Sequence, residues 1–266
     1  MTELLVDTVG RVRHLVINRP EKRNAMTMAQ LDTLFDAMAA ADRDPAIGCI
    51  VLRGAGDAFC AGIDIDPSQM DLEYEARSIQ AELRLLEPFR RFEQMWNLPT
   101  PIVASVQGYC LGVGTDLAFH SDITLCSDTA RFGYPPVRSM ASPPTHMWTY
   151  LAGPQWSKRL LLTGDSIDGR TAERAGLVLQ CMPVDELVEA TNELAGKIAR
   201  VPPDVLAHNK SICNKALEAM GRTLIQDLAR EQNAMAHKSP DAQEFGRIAA
   251  AEGLRAALAW QEDRFQ

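Results

Sequence analysis

The chain has 266 residues, 46% hydrophobic and 23% charged, with 17 glycines and 15 prolines; this excludes disorder, collagen and coiled coil and suffices for one large core or two small ones. With 27 Lys and Arg against 35 Asp and Glu the formal net charge is −8, which repels phosphate backbones and anionic lipid and argues against nucleic-acid or membrane partners. The 6 cysteines form no Cys-x-x-Cys pair, the N-terminus lacks a secretion signal, and no stretch reaches the ~18 to 20 apolar residues of a membrane span, so the reading is a cytoplasmic protein with buried, reduced thiols.

In chain order, Arg11 to Asn18 alternates polar and apolar residues and predicts a strand. Gly48 to Arg53, Pro101 to Val106 and Asp122 to Cys126 predict three more. Thr27 can cap a helix whose Leu31, Leu34, Phe35 and Met38 fall on one face, ending at Asp44-Pro45. A Glu-, Arg- and Leu-rich stretch from about Asp71 to Trp96 predicts a second helix, stopped at Leu98-Pro99. After about residue 145 the pattern is almost wholly helical: Gln155 to Thr163, Asp168 to Ala175, Val184 to Arg200, Pro203 to Met220, Arg222 to Ala236 and Pro240 to Ala259. Strand-helix alternation followed by a helical arm predicts an α/β fold, with ligands at strand ends and helix N-termini.

Two glycine-rich segments follow predicted strands, Gly54 to Asp64 and Gly108 to Asp116. A dinucleotide fingerprint needs a third glycine where Phe59 and Leu117 stand, and neither segment carries Gly-Lys-Ser/Thr. Gly-x-Ser-x-Gly and His-Glu-x-x-His do not occur. The histidines at 14, 120, 146, 208 and 237 have no ligand spacing, so no metal is expected. Two small-residue loops remain, the second running into a helix with Asp116 in its first turn. Such loops either aim free N–H groups at one point, as an oxyanion hole, or are tight turns packed on the sheet.

Several segments carry a resemblance: Asn18-Arg19-Pro20-Glu21-Lys22-Arg23-Asn24-Ala25, Phe59-Cys60-Ala61-Gly62-Ile63-Asp64-Ile65, Pro99 to Gly114, Ser121-Asp122-Ile123-Thr124 and Ala130-Arg131-Phe132-Gly133. With Leu161 to Asp165, Ala172 to Val178 and Glu252 to Phe265, they make the chain similar to the enoyl-CoA hydratase/isomerase (crotonase) family from about residue 10 onward. The resemblance implies a crotonase-like spiral of ββα repeats over residues 1–200 and a helical region over 201–266 that packs in homotrimers or hexamers. It implies an acyl-CoA thioester substrate, with CoA part of the substrate and no separate cofactor. By motif position the thioester oxygen would lie between the N–H groups of Ile63 and Val113, Lys22 and Arg23 would meet the CoA phosphates, and Ala25, Ala61, Asp64 and Ile65 would frame adenine and pantetheine. The competing reading of Lys22 and Arg23 is a solvated surface pair.

The chain departs from the family where two glutamates stand over the thioester. The first aligns with Asp116, one methylene shorter; the second falls on Pro136, which has no acid or donor, so the two-glutamate hydration mechanism does not transfer intact. Val113 replaces a glycine, and Val137 to Trp148 replaces a Gly- and Pro-rich wall. Tyr134, Arg138 and His146 are therefore candidates for proton transfer or for a second anionic group. The favoured roles are structural: Tyr134 packing on the sheet, Arg138 at a subunit contact, His146 at a helix start. His120 shares a helix face with Asp116, with an internal contact as the preferred reading; Asp122 is expected to cap a strand turn, and Asp71, Glu73, Glu75 and Glu82 fall in the segment that covers the acyl pocket in the family. The expected function is an enoyl-CoA hydratase-type lyase working through a stabilised enolate. The alternatives are a single-base isomerase or C–C hydrolase, and a non-catalytic CoA-thioester-binding protein.

Overall fold

The computed structural model describes residues 2–65 and 78–265. Leu4–Val9 (β1) and Val12–Ile17 (β2) form an antiparallel hairpin. The chain then crosses through helix Met28–Asp42 (α1) to Cys49–Gly54 (β3), parallel to β2. Thr27 starts α1 through a reciprocal cap: its hydroxyl accepts from the Gln30 N–H at 3.3 Å and the Gln30 side chain accepts from the Thr27 N–H at 2.8 Å. Leu31, Leu34, Phe35 and Met38 are buried as their spacing predicts.

Ile102–Val106 (β4), Ile123–Ser127 (β6) and Gln180–Met182 (β9) extend the sheet in parallel, giving the order β1-β2-β3-β4-β6-β9. Runs such as Ile50-Val51-Leu52 are apolar throughout because both faces are covered. One face packs on α1; the other receives Ala195 and Ala199 from Val184–Ile198 (α7) and its C-terminal turn. A second sheet, ordered β5-β7-β8, consists of Tyr109–Leu111, Arg131–Gly133 and Ser166–Asp168. Thus β4 and β5 lead into helix Val113–His120 (α4), and β6 and β7 into helix Trp148–Thr163 (α5): a main-sheet strand, a small-sheet strand and a helix in each turn of a spiral. A parallel bridge between Cys60 and Cys110 carries the stacking to the turn before.

Several boundaries differ from expectation. The short strands β5, β7, β8 and β9 span three residues each, too few for an alternation to register. The helix predicted from Asp71 to Trp96 is instead Ile79–Leu85 (α2), a 3₁₀ turn at Glu87–Arg90 and Arg91–Asn97 (α3), broken where Pro88 removes a donor; Asp71, Glu73 and Glu75 lie outside the described residues. α5 begins at Trp148 rather than Gln155 and is kinked at Gly153. After Gly169–Ala175 (α6), Pro203–Ala219 (α8) and Arg222–Ala236 (α9), the last predicted helix is two, Pro240–Glu252 (α10) and Leu254–Asp263 (α11), parted at Gly253, whose φ is 92°. Nor are all the thiols buried: Cys181 is half-buried and Cys213 exposed. Among the described residues no helix is long and apolar enough to cross a membrane.

Candidate active site

Three loops meet at the carboxyl end of the main sheet. Cys60 and Cys110 exchange parallel-sheet bonds: the Cys60 N–H donates to the Tyr109 carbonyl at 2.9 Å and the Leu111 N–H to the Cys60 carbonyl at 3.0 Å. Two residues on, Gly62 and Gly112 face each other, so close that a Cβ on Gly112 would lie 3.5 Å from the Gly62 Cα. Both have positive φ, 116° and 54°, a region open to glycine. Ile63 and Val113 follow at the same offset. Ile63 is bridged to Met26, which donates to the Gly62 carbonyl and accepts from the Asp64 N–H, so the Ile63 N–H points to the opposite side. Val113 is the first residue of α4, where an N–H has no intrahelical acceptor. The loops that carry the two residues named from the sequence thus lie side by side, with the helix N-terminus behind one of them.

Valine at 113 costs this arrangement little: Gly112 takes the backbone conformation that only glycine accepts, and Val113, already helical, packs its side chain into the core. Gly114 lets α4 approach, since a Cβ there would meet the Cys60 carbonyl oxygen at 2.3 Å.

Asp116 lies one turn into α4 with 1% of its surface exposed. Its Oδ1 accepts a hydrogen bond from the Thr145 hydroxyl at 2.5 Å, while Oδ2 is buried with no partner among the described residues. Desolvation dominates, with the Thr145 bond opposing it, and the carboxyl is pushed up to about 8. The Tyr134 phenol is buried too and held well above its usual range, first by burial and then by the Asp116 charge. Cys60 is pushed up to about 12 by burial, so these thiols are inert packing beneath the loops.

The early basic segment forms the rim. Pro20–Lys22 is a 3₁₀ turn that leaves Arg23 and Asn24 at positive φ, 52° and 57°. The buried Asn24 side chain holds it by donating to the Ala55 and Ala58 carbonyls at 2.8 and 2.6 Å. Asp64 accepts from Lys22 Nζ at 2.9 Å and pairs with Arg19 at 3.0 Å, partners that lower its carboxyl pKa against burial. The Ala61 N–H donates to the Arg23 carbonyl, the Ala25 N–H to that of Lys22, and the Arg23 guanidinium stacks on Tyr109 at 4.9 Å. Lys22, Arg23, Ala25, Ala61, Asp64 and Ile65 therefore share one rim beside Ile63, where Lys22 and Arg23 are exposed and Lys22 pairs with Asp64.

The remaining candidates hold structure. Arg138 grips the C-terminal region: it meets Glu262 at 2.7 Å and Asp165 at 3.3 Å and stacks on Phe265, so the anion it serves is within the chain. His146 Nε2 bonds the Thr149 hydroxyl at 2.7 Å, fixing the start of α5. His120 Nδ1 bonds the Asp116 backbone carbonyl at 2.8 Å, not its carboxylate, and burial pushes the ring down to about 3, keeping it neutral. Asp122 accepts from the Ile102 N–H at 2.7 Å and from Lys210 Nζ at 2.8 Å, a strand cap and an ion pair. Glu82, on α2, is fully buried with His237 Nδ1 at 3.2 Å and Lys238 Nζ at 3.6 Å, where it anchors α2 to the end of α9. Pro136 sits in a 3₁₀ turn, Pro135–Arg138, whose carbonyl closes it by accepting from Ser139, Met140 and Ala141. Thr145 and Met26 were not singled out beforehand; the contact of Thr145 with Asp116 joins segments with no pattern between them.

The model of a family described as enoyl-CoA hydratase/isomerase matches residues 8–260. The 2,3-dehydroadipyl-CoA hydratase of Escherichia coli K12 is 32% identical over 221 residues, 82% of this chain and 84% of that protein. The mitochondrial enoyl-CoA hydratase of Pongo abelii is 32% identical over 215 residues, 80% of this chain and 71% of that protein. Among solved structures, an enoyl-CoA hydratase/isomerase from Xanthobacter autotrophicus Py2 superposes with a TM-score of 0.92 at 30% identity, covering 100% of this chain and 99% of that one.

Proposed function

Since the chain belongs to the enoyl-CoA hydratase/isomerase family, we propose that it is an acyl-CoA-processing enzyme that adds water across the double bond of an enoyl-CoA thioester. The observation that carries this is a buried carboxyl, Asp116, with one oxygen unpartnered among the described residues, one turn behind two paired loops whose Ile63 and Val113 N–H groups have no acceptor among those residues. Hydration relatives among the proteins it resembles support the same reading.

Attack of water on C3 moves the C2=C3 electron pair onto the thioester oxygen, and the two N–H groups stabilise the resulting enolate. Asp116 takes the proton that the water loses and returns it to C2 as the thioester carbonyl re-forms, so H and OH are added and the carboxylate is regenerated. One carboxyl serves both steps in turn, because a group that titrates at about 8 both releases and holds a proton near neutral pH. Pro136 favours a second reading, isomerisation, in which Asp116 moves a proton between C4 and C2 and no water is added.

Lys22 and Arg23 take the CoA phosphates, with Ala25, Ala61, Asp64 and Ile65 along adenine and pantetheine. The exposed apolar residues Ile212, Leu224, Leu228 and Met235 support assembly into a homotrimer or hexamer, and the free cysteines support a reducing, cytoplasmic location. The test is to incubate the protein with short, long, branched and cyclic enoyl-CoA thioesters and resolve the products by chromatography and mass spectrometry. Gain of one water is the expected result; a shifted double bond at unchanged mass assigns isomerisation, and inert substrates overturn both.

A further inference from the structure

Asp116 is served by a residue from the rebuilt wall. Thr145 is 2% exposed, and the loop that carries it is fixed on both sides. The Ser142 N–H donates to Asn233 Oδ1 at 2.9 Å, Pro143 and Pro144 are buried, and His146 is tied to Thr149. Among the described residues the Thr145 hydroxyl meets no acceptor but Asp116 Oδ1, and it donates to the ionised carboxylate. While the hydroxyl donates, Oδ1 is occupied, and Oδ2, buried and unpartnered among the described residues, is the oxygen open to a proton; the bond also fixes the carboxyl's rotation about Cβ–Cγ.

We propose that Thr145 is a positioning residue that sorts the two oxygens of Asp116, making Oδ2 the one that carries and exchanges the proton. This rests on Asp116 as the acid and base of the site. It gives Asp116 a defined proton port where Pro136 supplies no second carboxyl. The donated bond also stabilises the ionised form, holding the carboxyl closer to working pH than burial alone would leave it.

The test uses Thr145→Val, which keeps shape and removes the donor, and Thr145→Ser, which keeps the donor. The infrared band of the protonated carboxyl, identified by its loss in Asp116→Asn, is followed across pH in each protein. The expected result is a higher midpoint and an altered band in Thr145→Val and parental behaviour in Thr145→Ser, with kcat falling about tenfold or more in the valine variant at little change in KM. Identical titration and turnover in parent and Thr145→Val overturns the proposal, as does a serine variant that behaves like valine, which would make side-chain volume the cause. Thr145→Ala replaces the valine variant if that protein does not fold. The titration needs no substrate. A shifted midpoint in a protein inert to every enoyl thioester would sink the hydration reading while leaving the oxygen assignment standing.

Discussion

Asp116 lies in the first turn of the eight-residue helix α4 and Asp122 two residues beyond its last, and both are withdrawn from water, yet they are treated differently. At the tail, Asp122 is met by Lys210 at 2.8 Å and by the Ile102 N–H at 2.7 Å; burial raises its pKa and Lys210 pulls it back. At the head, Asp116 has one hydroxyl on one oxygen and, among the described residues, nothing on the other, and burial prevails. The tail is also sealed: Ser121 and Thr124 donate to the Leu117 and Ala118 carbonyls at 2.9 and 2.7 Å. Burial of a carboxylate is thus no mark of function in itself. Burial left uncompensated among the described residues, on a helix that starts at the paired glycine loops, is what sets the head of α4 apart.

The contrast is broken most sharply by matching substitutions. Asp116→Asn should lower turnover of an enoyl-CoA substrate by about 10²- to 10⁴-fold while leaving CoA affinity intact, read by steady-state kinetics and calorimetry. Asp122→Asn should leave kcat near parental but cost about 3–5 kcal/mol in denaturant unfolding, because Lys210 is left buried without its partner. Near-parental turnover in the first, or lost turnover in a folded second, would erase the distinction.

The pH dependence sharpens it. Folded Asp116 ionises at about 8 and an unfolded aspartate at about 3.9, so within that window the folded chain holds a proton that the unfolded chain has lost. Stability therefore falls as pH rises through the window. Asp116→Asn escapes that loss, and its advantage should grow from about pH 4 to about pH 8 and then level off, at about 2 to 5 kcal/mol in chemical denaturation. The smallest effect belongs to the tail. Thr124→Val, which strands the Ala118 carbonyl, should cost about 1 kcal/mol with no change in kcat.

How much of this was legible depends on the range of the interaction. The cap at Thr27 and the face of Leu31, Leu34, Phe35 and Met38 are local, and a helical period announces them. The loops at 54–64 and 108–116 were visible as glycine-rich breaks, and the role of Asp116 came with the family resemblance. Periodicity shows which residues share a face but not which face points inward: α9 buries Arg222, Gln226, Arg230 and Asn233 and exposes Leu224, Leu228 and Met235. Nor could spacing reveal the partners of Arg138, since Asp165 and Glu262 lie 27 and 124 residues away. The Thr145 bond crosses 29 residues without a motif and was invisible for the same reason.

The wall that carries Pro136 is fastened from the far end of the chain. Arg138 grips Glu262, the Ser139 hydroxyl donates to the Gln261 side chain at 2.8 Å, and that side chain donates back to the Pro135 carbonyl at 3.1 Å. As the polypeptide emerges during translation, every strand of the main sheet and both N–H-bearing loops leave the ribosome before Gln261 and Glu262 do. Tethering of that wall thereby waits on a residue made 124 positions after Arg138. A product stopped short of α11 would keep its sheet and its loops but leave that wall untethered.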